Sequence, residues 1–310
     1  MQKVLVCGIP TETPLALVIG ELQTLKVQVV IFNQREIENT DIEFSVSRGE
    51  ISGRLSFYDA GYALEDFNGI YSRIMDYRCL PELRNEQAHS DRLVHAARFH
   101  EALNEWLEIA DARVVNRTSA MSSNASKPYQ AQCIRQFGLE IPETLITNVP
   151  EAALEFNRTH GRTVYKSISG IRSIVHEFEE KDRDRLNQIR WCPVQFQQFI
   201  EGSNVRVHVV GNHVISTAIQ SEAIDYRYSS RQTGIPAALA PYEIDESIAE
   251  RCVSLTKSLG LAFSGIDLKI TADGRVFCFE VNPSPGYSYF EQGSGQRISK
   301  MVAAYLAEGG

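Results

Sequence analysis

The 310-residue sequence lacks the patterns that mark several large protein classes. Its six cysteines, Cys7, Cys79, Cys133, Cys192, Cys252 and Cys278, are scattered without a C-x-x-C pair. That excludes a disulfide framework and a thiolate zinc site, and reads as buried thiols in a reducing compartment. No apolar run is long enough to span a bilayer, and the one that follows Met1-Gln2-Lys3 is far too short for the core of a secretion signal. A cytoplasmic protein is expected. Positive charge is not in excess: 31 Lys and Arg against 39 Asp and Glu give a net charge of −8. This argues against general nucleic-acid binding and against an anionic membrane surface, while leaving room for a local basic pocket. No G-x-x-x-x-G-K-[ST] loop occurs, so a nucleotide would have to be held without a Walker A loop. His208 and His213 have no partner at metal-ligand spacing. There is no repeat and no low-complexity tract. What remains is a composition of 43% hydrophobic and 23% charged residues, ordinary for a soluble globular chain long enough for two or three lobes.

The N-terminal third reads as an open α/β sheet. A buried strand at residues 3–8, a helix over 15–25 and a second apolar strand at 27–32 follow in β-α-β order. Residues 42–57 suggest a hairpin turning at Arg48-Gly49-Glu50, residues 69–74 and 113–116 short strands, and residues 82–109 a helix. That helix carries Arg84, Arg92 and Arg98 and suits either a scaffold role or docking of a leader peptide. The polar stretch 117–126 marks a boundary. Ser126 is placed to cap a helix over 127–137 that Gly138 ends. Strands are expected at 144–147, 163–166 and 194–200, helices at 150–159, 247–260 and 297–307, and a hairpin from 204–210 and 214–219 about Gly211-Asn212. The resulting lobes are residues 1–116, 117–196 and 197–310.

The most informative segment runs from Gly265 to Pro283. Asp273-Gly274 between alternating strands signals a hairpin. Folding about it sets Asp267 opposite Glu280, with Asn282 on the same face, while Ile266, Leu268, Ile270, Phe277, Phe279 and Val281 form the core face. Two carboxylates across a strand pair repel, so a cation is expected between them. Oxygen donors of these types suit Mg²⁺, which completes its shell with water and phosphate. A solvated polar face is the plain alternative. Lys166 ends a strand and precedes the small-residue loop Ser167 to Ser173, suited to phosphates or merely to the surface. Gln195 to Gly202 offers backbone to an adenine edge and Glu201 to a ribose, or is a strand ending at a turn. Arg206, among apolar neighbours, needs an anion: a substrate or a structural carboxylate. Arg227 and Arg231 add charge in a polar loop, where solvation is the simpler reading.

In this order, Lys127, Lys166 with its loop, Gln197-Gln198-Phe199-Ile200, Asn204-Val205-Arg206, Asp267 and Glu280-Val281-Asn282-Pro283, the motifs resemble those of the ATP-grasp family over roughly residues 115–308. The branch it looks like holds the ribosomal-protein glutamate ligases and the microviridin-type peptide-crosslinking ligases. The resemblance implies an α/β (α+β) ATP-grasp fold behind an N-terminal open α/β pre-ATP-grasp domain. It implies ATP-dependent carboxylate–amine (or hydroxyl) ligation through an acyl phosphate, with ATP and Mg²⁺ as cofactors and a peptide or amino acid as substrate. It also implies an occasional homo-oligomer. Carried onto this sequence, Lys127, Lys166, Ser169 and Gly170 would contact phosphates, Gln198, Phe199 and Ile200 adenine, and Glu201 the ribose. Asp267, Glu280 and Asn282 would hold Mg²⁺, and Arg206 and Arg227 the reacting anion. The pattern departs from the branch at Asn204, where an acid is usual, and at Arg172 in a glycine-poor loop. A small-molecule ligase of glutathione-synthetase or amino-acid-ligase type, and a silent nucleotide- or peptide-binding scaffold, are the rival readings.

Overall fold

A computed structural model describes residues 2–58, 60–168 and 174–308, and every sheet and contact is one among those residues. In the N-terminal part, β1 (Lys3–Gly8), α1 (Thr13–Thr24) and β2 (Gln28–Asn33) are followed by β3 (Thr40–Ser47), β4 (Glu50–Phe57), β5 (Ala60–Ala63), β6 (Gly69–Ser72), α2 (Asp91–Ile109) and β7 (Arg113–Val115). A parallel sheet runs in the order β2-β1-β6-β7. Its central strand is apolar on both faces because both are covered: Leu5 and Cys7 join one core with Phe32, Phe99 and Trp106, and Val4 and Val6 join another with Leu15, Phe290 and Val302. The expected hairpin is present as β3 and β4, joined at Arg48 and Gly49, both with positive φ, and extended by β5. The long helix is shorter than expected. It starts at Asp91, because Ser90 accepts from the Leu93 amide and caps it there.

After α3 (Thr118–Met121) come α4 (Lys127–Gln136), β8 (Thr144–Thr147), α5 (Pro150–His160), β9 (Thr163–Ser167), β10 (His176–Glu177) and β11 (Val194–Gln198). These four strands form a small sheet ordered β10-β9-β11-β8 around Phe178, Leu186 and Phe196. A 3₁₀ segment over Glu180–Trp191, which the polar sequence hides, closes one side.

The third sheet is antiparallel, ordered β14-β13-β12-β15-β16, from β12 (Ser203–Val210), β13 (His213–Gln220), β14 (Ala238–Pro241), β15 (Phe263–Ile270) and β16 (Val276–Asn282). Helices α6 (Ser229–Gln232), α7 (Glu246–Ser258), α8 (Ser288–Ser294) and α9 (Ile298–Ala307) complete the chain. Helix α4 packs on this third sheet, although the sequence reading groups it with the small lobe. Ile134 and Leu139 share a core with Val205 and Val281, Gln130 exchanges hydrogen bonds with the Val281 backbone, and Glu140 does so with Val276 and Cys278. The apolar stripe of α4 finds its larger partner there. Among the described residues no helix is long and apolar enough to cross a membrane.

Candidate active site at the seam of two sheets

The carboxylate hairpin forms with the expected pairing, Asp267 opposite Glu280, through two compensating departures. The turn is one residue longer than a two-residue loop, since Ile270 pairs with Val276 and the Thr271 amide donates to the Arg275 carbonyl at 3.0 Å. A bulge between Asp267 and Leu268 then absorbs the shift, with Leu268 opposite Cys278 and Phe279 as the extra residue. The bulge changes the core. Cys278 is buried among Leu255 and Leu268, and Phe279, expected there, instead lines the cavity beside Glu280.

Antiparallel pairing of β12 with β15 puts Arg206 opposite Asp267, so Arg206, Asp267 and Glu280 form one row across three neighbouring strands. Arg206 Nη1 donates to Asp267 Oδ1 at 2.7 Å, and the Tyr226 hydroxyl donates to the same oxygen at 3.1 Å. Lys127, the first residue of α4, brings its ammonium 3.0 Å from Glu280 Oε2 and donates to Asn124 Oδ1 at 2.7 Å. Each carboxylate therefore has a protein cation of its own, and their mutual repulsion does not by itself require a metal. Burial pushes the Glu280 carboxyl up, but Lys127, Lys166 and Arg206 together outweigh it and hold it below the usual range. Burial disfavours charge on Arg206, and the carboxylates around it, Asp267 first and Glu280 after it, favour it. His208, two residues along the strand, is fully buried against Phe290 and lowered by burial, so it adds no charge.

Arg206 lies flat on Gly265: a Cβ there would stand 2.2 Å from Arg206 Nη2. Gly265→Ala is expected to push the guanidinium off Asp267, to cost about 1–3 kcal/mol by overpacking, and to weaken nucleotide binding. A denaturation midpoint measured beside the apparent affinity for ATP checks both.

Lys166 reaches the seam from β9. It lines a cavity of about 510 Å³ together with Lys127, Arg206, Asp267, Glu280 and Asn282. An adjoining, narrower cavity of about 120 Å³ is walled by Val164, Val205, Leu268 and Phe279 and by the segment Gln197 to Ile200. A third, of about 630 Å³, opens on the α4 side and shares Lys127 and Lys166.

Several expected residues are placed differently from the sequence reading. The amides of Gln198 and Phe199 already donate to the carbonyls of Glu143 and Arg162. The Phe199 ring carries the Arg162 guanidinium 3.7 Å from its centroid and the Lys269 ammonium at 4.9 Å. Glu201, expected at a ribose, does not line the narrow cavity; its side chain is 84% exposed and faces Arg162. Arg227 lines both the 510 Å³ cavity and the narrow one, but its guanidinium is clamped on Asp225 at 2.7 and 2.8 Å rather than offered as a bare charge. Ser169, Gly170 and Arg172 lie outside the described residues, as does the Arg231 side chain. The sequence reading missed Asn124 and the grip of Tyr226 on Asp267. No local pattern marks either residue.

The donor set fits Mg²⁺ delivered with phosphates. Among the described residues no group of three or more His, Cys, Asp or Glu could cage a metal. Asp267, Glu280 and Asn282 supply two carboxylates and one amide oxygen, fewer donors than Mg²⁺ takes, which leaves coordination positions for phosphate and water.

A family model for the RimK-like ATP-grasp domain matches residues 125–306. A probable alpha-L-glutamate ligase of Pasteurella multocida (strain Pm70) is 25% identical over 263 residues, 74% of this chain and 82% of the relative. A RiPP-associated ATP-grasp ligase of Chryseobacterium gregarium, solved with ADP and a leader and core peptide, has a TM-score of 0.83 at 22% identity, covering 99% of this chain and 97% of that one. The macrocyclase MdnC of Microcystis aeruginosa MRC, solved with precursor peptide MdnA, has a TM-score of 0.79 at 23% identity, covering 99% and 100%. With the ATP-grasp fold and a seam lined by lysines and carboxylates in hand, the chain belongs to the RimK-like ATP-grasp family and is an ATP-grasp ligase that uses ATP.

Proposed function

We propose that the protein joins a carboxylate of a peptide or amino acid to an amine or hydroxyl, with an N-terminal lobe at residues 1–116, a small lobe built on the β10-β9-β11-β8 sheet, and a C-terminal lobe to which α4 also belongs. The observation that carries this reading is the convergence of Lys127, Lys166, Arg206, Asp267, Glu280 and Asn282 on one cavity. Asp267, Glu280 and Asn282 would hold Mg²⁺, which would supply neutralisation of phosphate charge. The narrow cavity walled by Leu268, Phe279 and the Gln198–Ile200 segment would take the adenine ring, with the Ile200 amide and the segment's carbonyls as its polar partners. Lys127 and Lys166 neutralise phosphates. Arg206, held rigid by Asp267 and Gly265, faces the transferring phosphoryl group. The substrate carboxylate attacks the γ-phosphate to give an acyl phosphate and ADP, and the nucleophile then expels phosphate. No protein nucleophile is needed, since positioning and charge supply the rate. Arg227, buttressed by Asp225, orients the substrate carboxylate at the wider end of the cavity. A peptide substrate is supported by the peptides bound to both solved neighbours.

The test is a screen of candidate peptides and amino acids for stimulated ADP release, with mass spectrometry of the products. Loss of water per bond marks condensation, and gain of one residue marks amino-acid ligation. ATP hydrolysis indifferent to every co-substrate would overturn the ligase reading.

The state of Lys166 makes a second prediction. Burial lowers its pKa below the usual lysine value, with Glu280 opposing. Its ammonium is therefore lost at a lower pH than that of a solvated lysine. ATP binding should weaken as pH rises through that lowered value, and Lys166→Arg should abolish this alkaline limb. Nucleotide titrations across pH in both proteins check it.

A further inference from the structure

The segment after Asn282 reads Pro283-Ser284-Pro285-Gly286. Two prolines leave it few amide hydrogens with which to hold its own shape. Its carbonyls are held from outside, by the N-terminal lobe. Asn116 Nδ2, at the end of β7, donates to the Pro283 carbonyl at 2.6 Å, and Arg73 Nη1, just past β6, donates to the Pro285 carbonyl at 3.4 Å and to Ser284 Oγ at 3.1 Å. The Ser284 amide in turn donates to Asn282 Oδ1 at 3.0 Å, orienting that oxygen. Arg73 is itself firmly placed. Its amide donates to the Cys7 carbonyl at 2.9 Å, its Nη2 donates to Glu12 Oε1 at 2.8 Å, and its side chain is only 12% exposed. Gly8 permits this approach, because a Cβ there would meet the Arg73 carbonyl at 3.1 Å and Leu15 at 2.9 Å, at a φ of +144° that favours glycine.

We propose that Arg73 is a positioning residue for the Mg²⁺ site: anchored on Glu12, it holds the Ser284–Pro285 segment so that Asn282 Oδ1 keeps its orientation. This rests on the reading of Asn282 as a metal ligand. Partners that orient a ligand commonly change metal affinity about 10–100-fold when removed. The N-terminal lobe thus reaches the nucleotide without touching it.

The experiment is calorimetric titration of ADP into Arg73→Met, Arg73→Lys, Ser284→Ala and Asn282→Ala, with and without Mg²⁺, beside thermal melting and steady-state kinetics. Arg73→Met should weaken Mg²⁺-dependent ADP binding about 10-fold, leave metal-free ADP binding unchanged, and recover turnover at high Mg²⁺. Arg73→Lys should recover part of the loss. Ser284→Ala, an exposed change that keeps the fold, should shift binding in the same direction by less. If Arg73→Met and Ser284→Ala lower only the melting temperature while Asn282→Ala weakens Mg²⁺-dependent binding, the proposal is overturned and Arg73 is an interlobe staple. If Asn282→Ala changes nothing either, the metal assignment fails and the proposal falls with it.

Discussion

Glu280→Gln is expected to reduce co-substrate-dependent ADP release by about 10²–10³-fold or more with the fold retained. The substitution keeps the volume and removes the charge at the centre of the site. Glu280 stands opposite Asp267, 3.0 Å from the Lys127 ammonium and within the field of Lys166. A neutral amide there is a poorer Mg²⁺ ligand and leaves two lysines without their shared counter-ion. Packing is barely touched, because the neighbouring Cys278 and Val281 carry the buried contacts of the strand. Turnover assays beside circular dichroism and melting separate the two effects. Wild-type turnover in a folded Glu280→Gln protein would remove this residue from the metal site and undo the assigned mechanism.

Asn116→Ala should give the largest loss of stability, about 3–5 kcal/mol. Asn116 is 4% exposed and uses its whole amide. Nδ2 donates to the carbonyls of Phe263 and Pro283 at 2.7 and 2.6 Å, and Oδ1 accepts from the amides of Ala262 and Phe263 at 2.8 and 2.9 Å. Truncation strands four buried backbone groups at the junction of β7, β15 and the end of β16. Asn116→Asp keeps the two acceptor contacts but has no donor for the two carbonyls, so it should also destabilise strongly. Denaturant midpoints with unchanged slope measure both. A loss below about 1 kcal/mol would show that water replaces the side chain.

The fold was legible where the signal is local. Period-two alternation, the Asp273-Gly274 turn and the Ser126 cap announced the hairpin and the helix that carries Lys127, and both formed. The hairpin also shows the limit of such reading. Counting from the turn reached the right partner for Asp267 but put Phe279 in the core in place of Cys278, because a bulge cannot be counted from alternation. Position along the chain suggests a ribose partner in Glu201, but cannot show that its side chain stands exposed, 3.7 Å from the Arg162 guanidinium. Arg206 signalled a need for an anion without saying which. The answer, Asp267, lies 61 residues away and depends on β12 lying beside β15.

By itself the sequence determined that Glu280 and Asn282 share one strand face, because side-chain alternation is a property of a few consecutive residues; that Asp267 stands opposite Glu280 also needed the bulge to offset the longer turn. It also determined the likeness to ATP-grasp ligases, because the order of motifs survives without coordinates. Only the tertiary structure decided which cations answer those acids, which face α4 covers, and that Arg73 and Asn116 hold the segment beyond Asn282. Those contacts join residues 61 to 212 positions apart, and both their geometry and the burial that sets their charge arise only when whole sheets pack together.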